Sequence, residues 1–159
     1  MPIKDSGERR IFETSAVRDI SVGKGRCDLL PLSVLSALFQ DNTFANIDLY
    51  VRTGDITKLV DVITHFSTRW VGSLESAMIE VSKHFEEGAM KYSERNWEKG
   101  IPLHCYIDSA VRHYLKFKRG DDDERHDRAF LWNILCAVWT HVTKPEMIDL
   151  PFMKEDETE

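Results

Sequence analysis

Three carboxylates stand at the edges of segments with the apolar spacing of amphipathic helices: Glu86, Asp108 and Glu124. Glu86 follows Phe85, which belongs to an apolar stripe, and Asp108 lies four residues before Arg112, so these two side chains are neighbours on a helix. Oxygen ligands of this kind bind hard divalent cations such as Mg²⁺, which hold phosphate-bearing substrates. If the helices pack together, the carboxylates can face one groove. The same spacing also fits solvated helix faces with ordinary salt bridges, because 30% of the chain is charged.

A second polar group lies near the N-terminus, in the run Gly23-Lys24-Gly25-Arg26. The two glycines allow a tight turn that exposes backbone amides, and Lys24 and Arg26 add two positive charges, a combination that suits an anion. The spacing is not that of a P-loop, and the residues by themselves favour a flexible surface turn. For Lys24 and Arg26 to act with the carboxylates, the N-terminal segment must fold over the helices.

Three predicted helices carry the candidate carboxylates. The first is predicted over residues 73–95 from its apolar residues at helical spacing. The second follows Pro102 and ends at Gly120, a residue typical of helix C-caps. The third is predicted to start in the acidic run 121–123, which suits the positive end of a helix dipole. The short connection 96–102 predicts that the first two helices form an antiparallel hairpin.

The rest of the chain is predicted to hold an arm and shorter helices. Residues 1–30 are polar and glycine-bearing, and are predicted to be extended or loop-like. Short helices are predicted after Pro31 and after Asp55. The segment 44–51 fits a strand as well as a helix, because periodicity cannot decide over so few residues. The acidic end, 151–159, is predicted to be disordered.

The composition is that of a globular chain that is acidic overall. The 159 residues are 42% hydrophobic, which suffices for one domain with a core. The net charge of −6 argues against a general nucleic-acid binder, although a local basic patch can still hold phosphate. No apolar run has the length of a membrane span. Three cysteines without CxxC spacing, and without a signal peptide, indicate a reducing, intracellular setting.

Two stretches of the chain together resemble a known family. The first is FETSAVRDISVGKGRCDLLP at residues 12–31. The second is the region of about 81–139, which contains KYSERNWEKGIP, IDSAVRHYLK and a histidine spaced before the pair Trp132-Asn133. The pattern is similar to the dATP/dGTP diphosphohydrolase family of phages, which includes the MazZ-type enzymes and is a distant cousin of MazG. Residues 32–80 look like an insertion or a variable helical region.

The resemblance implies an all-α, MazG-like helical bundle with an irregular N-terminal arm. It implies one domain over residues 1–150, made of the arm (1–30), a variable helical region (31–72) and the catalytic helices (73–143). Such enzymes use Mg²⁺ or Mn²⁺ to cleave a nucleoside triphosphate between its α and β phosphates, which releases the monophosphate and pyrophosphate. In MazZ-type enzymes the substrate is similar to dGTP, and the dGMP product feeds the synthesis of 2-aminoadenine nucleotide.

Carried onto this chain, the resemblance assigns the metal and catalytic roles to Glu86, Asp108 and Glu124. The predicted substrate ligands are basic and polar positions of the pattern, namely Lys24, Arg26, Lys91, Arg95, Asn96, Arg112, His113, His126 and Asn133. For Asn96, His126 and Asn133 the alternative role is a structural hydrogen bond, and for Asn133 the two roles are equally favoured. The chain departs from MazG relatives because Lys83 stands where their first ExxE motif would begin.

The resemblance also bears on partners. It implies a purine deoxynucleoside triphosphate as substrate, an assembly of identical subunits, and a place in the cytoplasm of an infected bacterial host. Neither a nucleic-acid polymer nor a membrane is an expected partner. The alternative is a non-catalytic helical module that binds nucleotides without cleaving them. The three carboxylates favour the enzyme, because an inactive relative would tend to lose them.

Overall fold

Six α-helices and one two-stranded hairpin make up the regular structure of residues 3–154, the part of the chain that the computed structural model describes. The predicted all-α class is confirmed. The strands β1 (Arg9–Ile11) and β2 (Val17–Asp19) pair antiparallel, with Arg10 opposite Arg18. The helices are α1 (Leu32–Phe39), α2 (Asn42–Thr53), α3 (Thr57–Phe66), α4 (Leu74–Lys91), α5 (Leu103–Arg119) and α6 (His126–Thr143).

Helices α5 and α6 form the centre of the fold. Nine of the 17 residues of α5 are buried, so this helix is covered on most of its surface. α6 packs along α5, and α3 and α4 pack against α6 in turn. Aromatic rings join these layers: Phe130 of α6 lies 4.8 Å from Phe66 and 5.0 Å from Tyr114 between ring centroids. These ring contacts join α3, α5 and α6 in one core.

The region between the arm and α4, residues 32–71, is largely helical. The short helices predicted after Pro31 and Asp55 are α1 and α3. The ambiguous segment 44–51 lies inside α2, which buries Phe44, Ile47 and Tyr50 on one face and begins where the Asp41 side chain accepts the amide of Thr43. The cap and the spacing of three residues between buried positions explain why this segment is a helix and not a strand.

Two predicted helix boundaries are wrong. α4 ends at Lys91 instead of residue 95, because Arg95 takes a left-handed conformation (φ 58°) and a short 3₁₀ turn, Asn96–Lys99, follows it. α6 begins at His126 and not in the acidic run 121–123. The carboxylates of that run are bound by other side chains, since Asp121 pairs with Arg119 and Asp123 with both Lys4 and His126. The predicted C-cap is confirmed, since Gly120 is left-handed (φ 88°).

The predicted hairpin of the first two catalytic helices is also wrong. α4 packs chiefly against α6 and the turn that follows α3, and it makes no extensive contact with α5 in residues 3–154. The connection from Tyr92 to Pro102 is long enough to carry a 3₁₀ turn, so it does not force the two helices together. The space that this leaves between α4 and α5 is occupied in part by the N-terminal arm.

Both ends of the described chain are more ordered than predicted. The arm contains the β-hairpin and a 3₁₀ turn, Cys27–Leu29, that packs on α5. Pro151–Met153 form another 3₁₀ turn, and the ring of Phe152 lies 5.7 Å from that of Tyr50. The prediction of disorder is therefore wrong for 151–154, and its remaining residues lie outside the described ones. No helix within residues 3–154 is long and apolar enough to cross a membrane.

Candidate active site

A cavity of about 560 Å³ lies between the arm, the second half of α4 and the middle of α5, and its wall also includes residues of the turn after α4 and of α6. Eight lysine or arginine side chains line this cavity, against three carboxylates. In a chain of net charge −6 the cavity is therefore a local concentration of positive charge. Its size is that of a site for a small molecule.

The cavity gathers most of the residues predicted from the sequence. Eight of the twelve predicted site residues line it: Lys24, Lys91, Arg95, Asn96, Arg112, His113, Glu124 and Asn133. The other four are Arg26, Glu86, Asp108 and His126. His126 is buried directly behind the wall, where its ring contacts that of His113. Arg26 forms an ion pair with Asp28 at 2.7 Å, and its side chain is 53% exposed.

The arm is held over the helices by specific hydrogen bonds. The Asn96 side chain accepts the amide of Val17 at 2.8 Å and donates to the carbonyl of the same residue at 2.7 Å. The Tyr92 hydroxyl accepts the amide of Asp19 at 2.9 Å. Asn96 therefore acts like a neighbouring strand for β2, which gives it a structural role even though it touches the cavity.

Asp108 and Arg112 hold the turn that contains Lys24. Asp108 is 4% exposed, and its Oδ1 accepts the amide of Cys27 at 2.7 Å and Nη2 of Arg112 at 2.6 Å. The same Nη2 donates to the carbonyl of Gly25 at 2.8 Å. Asp108 thus faces the arm rather than the cavity, and its charge is met by a guanidinium and a backbone amide.

The three predicted carboxylates do not share one groove. Glu86 lies on the exposed side of α4 and is absent from the cavity wall. Asp108 is engaged with the arm, and Glu124 alone of the three faces the cavity. Helical spacing placed Glu86 at the edge of the buried stripe, but the turn of α4 toward α6 leaves it outside. The roles of Glu86 and Asp108 as metal ligands stay predictions.

Glu124 stands beside two histidines. Its Oε1 lies 3.3 Å from Nδ1 of His113 and 3.7 Å from Nδ1 of His126, and these two nitrogens are 2.9 Å apart. Burial, followed by the neighbouring His126, lowers the pKa of His113 well below its ordinary value. The three side chains could hold one metal ion, and a second group that could do so, Asp121, Asp123 and His126, shares one histidine with the first.

The beginning of the arm crosses the cavity near this cluster. The amide of Lys4 donates to Oε2 of Glu124 at 3.2 Å, and the Lys4 ammonium lies 2.5 Å from Asp123. The Lys91 ammonium donates to the carbonyl of Lys4 at 2.7 Å. The arm therefore contacts both the acidic and the basic side of the site.

A comparison with known families gives one match. The family model described as dATP/dGTP diphosphohydrolase, N-terminal, matches residues 65–150. The chain belongs to this family. The match spans α4, α5 and α6 and leaves out the arm, although the arm supplies part of the cavity wall. No curated protein and no solved structure matches the chain.

One residue that the sequence analysis missed, Arg18, is central to the cavity of this member of the dATP/dGTP diphosphohydrolase family. Its guanidinium lies 5.4 Å from the Tyr106 ring and 5.5 Å from the Trp132 ring, and its Nη2 donates to Ser109 at 3.0 Å and to Asn133 at 3.2 Å. Its Nη1 is buried with no partner among the described residues. Its partners lie 91 and 115 positions away in the chain, so no local pattern marks it.

Aromatic side chains line the wall beside Arg18. Phe85 of α4 lies 5.7 Å from Trp97 and 5.9 Å from Trp132 between ring centroids, and His84 lies 5.7 Å from Trp132. Burial and the nearby Arg18 lower the pKa of His84 to about 4, so this ring is neutral at neutral pH. In this family member the cavity thus combines flat apolar surfaces with a cationic rim, which suits a ligand that has both a ring and phosphates.

Proposed function

We propose that the chain is a metal-dependent nucleoside triphosphate pyrophosphohydrolase that converts dGTP, and dATP as a second substrate, to the monophosphate and pyrophosphate. The observation that carries the proposal is the cavity, which joins a surplus of cations to Glu124 and its two histidines. Membership of a family whose name refers to dATP and dGTP supports the substrate class.

The cationic residues suit a triphosphate. Four cationic side chains line the cavity from three different segments of the chain: Lys24, Lys91, Arg95 and Arg112. Their positive charges can therefore surround a chain of phosphates. Hydrogen bonds from charged donors to phosphate oxygens are among the stronger ones in proteins.

Arg18 and the aromatic side chains suit a purine base. Arg18 lines the cavity, and its guanidinium is a donor for which guanine offers two acceptors on one edge, N7 and O6, where adenine offers N7 beside an amino group. Arg18 is held by Asn133, seven residues beyond His126 on α6, which corresponds to about 10 Å along the helix. A base at Arg18 would therefore leave its phosphates in the direction of Glu124. The two acceptors that guanine offers to Arg18 support dGTP as the preferred substrate.

The donor set beside the cavity fits a divalent metal ion. Glu124 supplies a carboxylate oxygen and the histidines supply ring nitrogens, and these atoms lie near one another. A bound Mg²⁺ or Mn²⁺ neutralises developing negative charge on phosphate oxygens and makes water a better nucleophile. In the proposed reaction, water attacks the α-phosphorus, the bond from that phosphorus to the oxygen bridging to the β-phosphorus breaks, and pyrophosphate leaves. The lysines and arginines of the wall orient the triphosphate for this attack.

The test is chromatography of the products formed from dGTP by the purified full chain with Mg²⁺ or Mn²⁺. We expect dGMP and pyrophosphate in one step, with dGTP and dATP cleaved faster than dCTP and dTTP. The dGMP would feed the synthesis of 2-aminoadenine nucleotide in a phage. Formation of dGDP and phosphate would contradict the proposed bond, and intact dGTP with measurable binding would favour a non-catalytic nucleotide-binding module.

We also propose that the chain forms a homo-oligomer through the outer face of α4. Ile79 and Met90 on this helix are 65% and 82% exposed, and Glu86 stands between them in the sequence. Exposed apolar side chains on one helix face are typical of a contact surface. Light scattering after size-exclusion chromatography should give a multiple of the monomer mass, and Ile79→Glu with Met90→Glu should return the mass to that of the monomer.

A further inference from the structure

We infer that His113, Glu124 and His126 form a mononuclear centre of two histidines and one carboxylate, which takes a first-row transition ion such as Mn²⁺, Co²⁺ or Zn²⁺ in preference to Mg²⁺. The catalytic role of this centre rests on the proposed function, but the binding of the ion can be measured without any substrate. It gives His113 and His126, which the family pattern suggested as substrate ligands, a different role.

The geometry of the three atoms is that of a coordination sphere. Nδ1 of His113, Nδ1 of His126 and Oε1 of Glu124 are separated by 2.9, 3.3 and 3.7 Å. Ligand atoms that each lie about 2.1 Å from one ion are about 3.0 Å apart at a right angle and about 3.4 Å apart at a tetrahedral angle. One ion can therefore reach all three atoms after small movements of the side chains.

Asp123 sets the tautomer that metal binding requires. His126 is 2% exposed, and its Nε2 lies 2.7 Å from Oδ1 of Asp123. An ionised carboxylate can only accept, so Nε2 carries the hydrogen and Nδ1 keeps its lone pair, which points to His113 and Glu124. A carboxylate behind a ligating histidine is the usual outer partner at metal sites.

For His113 the same requirement means the tautomer with the hydrogen on Nε2. Its Nδ1 faces Nδ1 of His126, so two acceptor atoms stand opposite each other unless one of them carries a hydrogen. An ion between them uses both lone pairs.

The donor set decides the class of ion. Mg²⁺ prefers six oxygen ligands, usually carboxylates, phosphates and water, whereas imidazole nitrogen favours transition ions. His113 and Glu124 also line the cavity, so an ion held there keeps positions that face a bound triphosphate. The competing group of Asp121, Asp123 and His126 would bind through the opposite nitrogen of His126 and would use two carboxylates, Asp121 and Asp123, in place of Glu124.

The experiment measures metal binding to the full chain without nucleotide, by calorimetry and by loss of the electron paramagnetic resonance signal of free Mn²⁺. We expect one Mn²⁺ per chain, with Mg²⁺ bound at least about 100-fold more weakly. Pulsed resonance of bound Mn²⁺ should show coupling to imidazole nitrogen. Glu124→Gln and His113→Leu should each weaken Mn²⁺ binding at least about 100-fold, and Asp123→Asn about 10- to 100-fold.

Two variants serve as matched controls. Asp121→Asn removes a carboxylate of the competing group only, and His65→Ala removes an exposed histidine far from the cluster in sequence. Both should bind Mn²⁺ within about twofold of the parent chain. Circular dichroism and thermal unfolding check that each variant is folded, and Glu124→Gln, which is nearly isosteric, serves if His113→Leu does not fold.

Three results would overturn the inference: Mg²⁺ binding as tightly as Mn²⁺, absence of nitrogen coupling, or a loss on Asp121→Asn as large as that on Glu124→Gln. Failure of the proposed function is distinguishable from these. If the chain binds Mn²⁺ as expected but leaves dGTP intact, the metal centre is supported and the proposed reaction is contradicted. If the chain cleaves dGTP but His113→Leu and Glu124→Gln bind metal normally, the proposed reaction is supported and the metal centre is contradicted.

Discussion

Asp108 and Glu124 are two carboxylates of similar burial with opposite surroundings. Asp108 meets the Arg112 guanidinium and the amide of Cys27, so its charge is neutralised within the protein. Glu124 meets two imidazoles and one amide of the arm, and it faces the cavity. A carboxylate that is already paired with a guanidinium holds structure together, whereas one that faces a cavity retains charge for a ligand. Residue type and helical spacing do not distinguish the two, but their partners do.

The largest effect is expected at Glu124. Glu124→Gln keeps the shape of the side chain and removes the charge that would bind the ion, so turnover of dGTP should fall at least about 1,000-fold, while the melting temperature stays within about 2 °C. Steady-state kinetics and thermal unfolding measure the two quantities. Near-parental turnover of this variant at saturating metal would show that Glu124 is not part of the active site.

Glu86→Gln is the matched comparison for that variant. The Glu86 side chain is exposed and off the cavity wall, so we expect turnover within about twofold of the parent chain. The family pattern predicted a metal ligand at this position. A loss as severe as that of Glu124→Gln would restore that role, and would require a second subunit or a movement of α4 to bring Glu86 to the substrate.

Asp108→Asn should affect the stability of the fold more than the rate of the reaction. The change leaves the buried guanidinium of Arg112 without its ionic partner and weakens the bond to Cys27, which should cost about 2–4 kcal/mol of unfolding free energy. Urea unfolding measures this cost. The control is Asp48→Asn, which breaks a pair of the same i,i+4 spacing with the exposed Arg52 and should cost less than about 1 kcal/mol. Equal costs in the two variants would contradict a structural role for Asp108.

The turn of Lys24 and Arg26 divides into a cavity side and a solvent side. Lys24→Ala should raise the Michaelis constant for dGTP about 3- to 10-fold with a smaller change in maximal rate, because ground-state phosphate contacts are lost. Arg26→Ala should change the Michaelis constant less than about twofold, since this side chain pairs with Asp28 away from the wall. If the two single variants behave alike, the turn acts on substrate as a unit.

The smallest effect concerns a histidine that contrasts with His113. His104 is half-buried and bonded to Asp149, and this bond raises the pKa of His104 to about 10. A raised pKa in the folded state means that the pair contributes stability below about pH 6.5 and loses it as the pH rises toward 10. Melting temperatures of the parent chain and Asp149→Asn should therefore differ by a few degrees at pH 6 and converge by pH 10. A constant difference across this range would exclude the ionised pair as the cause.

The sequence predicted the helical class, the family and the chain segments that carry the site. The apolar periodicity of residues 73–143 predicted the helices α4, α5 and α6 and, in outline, the faces that they bury, because apolar residues at helical spacing share one face. Gly120 determines the end of α5, since the left-handed conformation there favours glycine. The motif KYSERNWEKGIP placed Lys91, Arg95 and Asn96 in the site region, and all three line the cavity.

Only the tertiary structure decided which polar groups meet. Arg18 finds Ser109 and Asn133 on two helices far along the chain, and His113 meets Glu124 and His126 because α5 and α6 pack side by side. The separation of α4 from α5, which leaves room for the cavity and puts Glu86 outside it, also comes from packing. Local spacing specifies the face of a helix on which a residue lies, whereas the partner it meets depends on contacts between distant segments, and those contacts are set by the whole core.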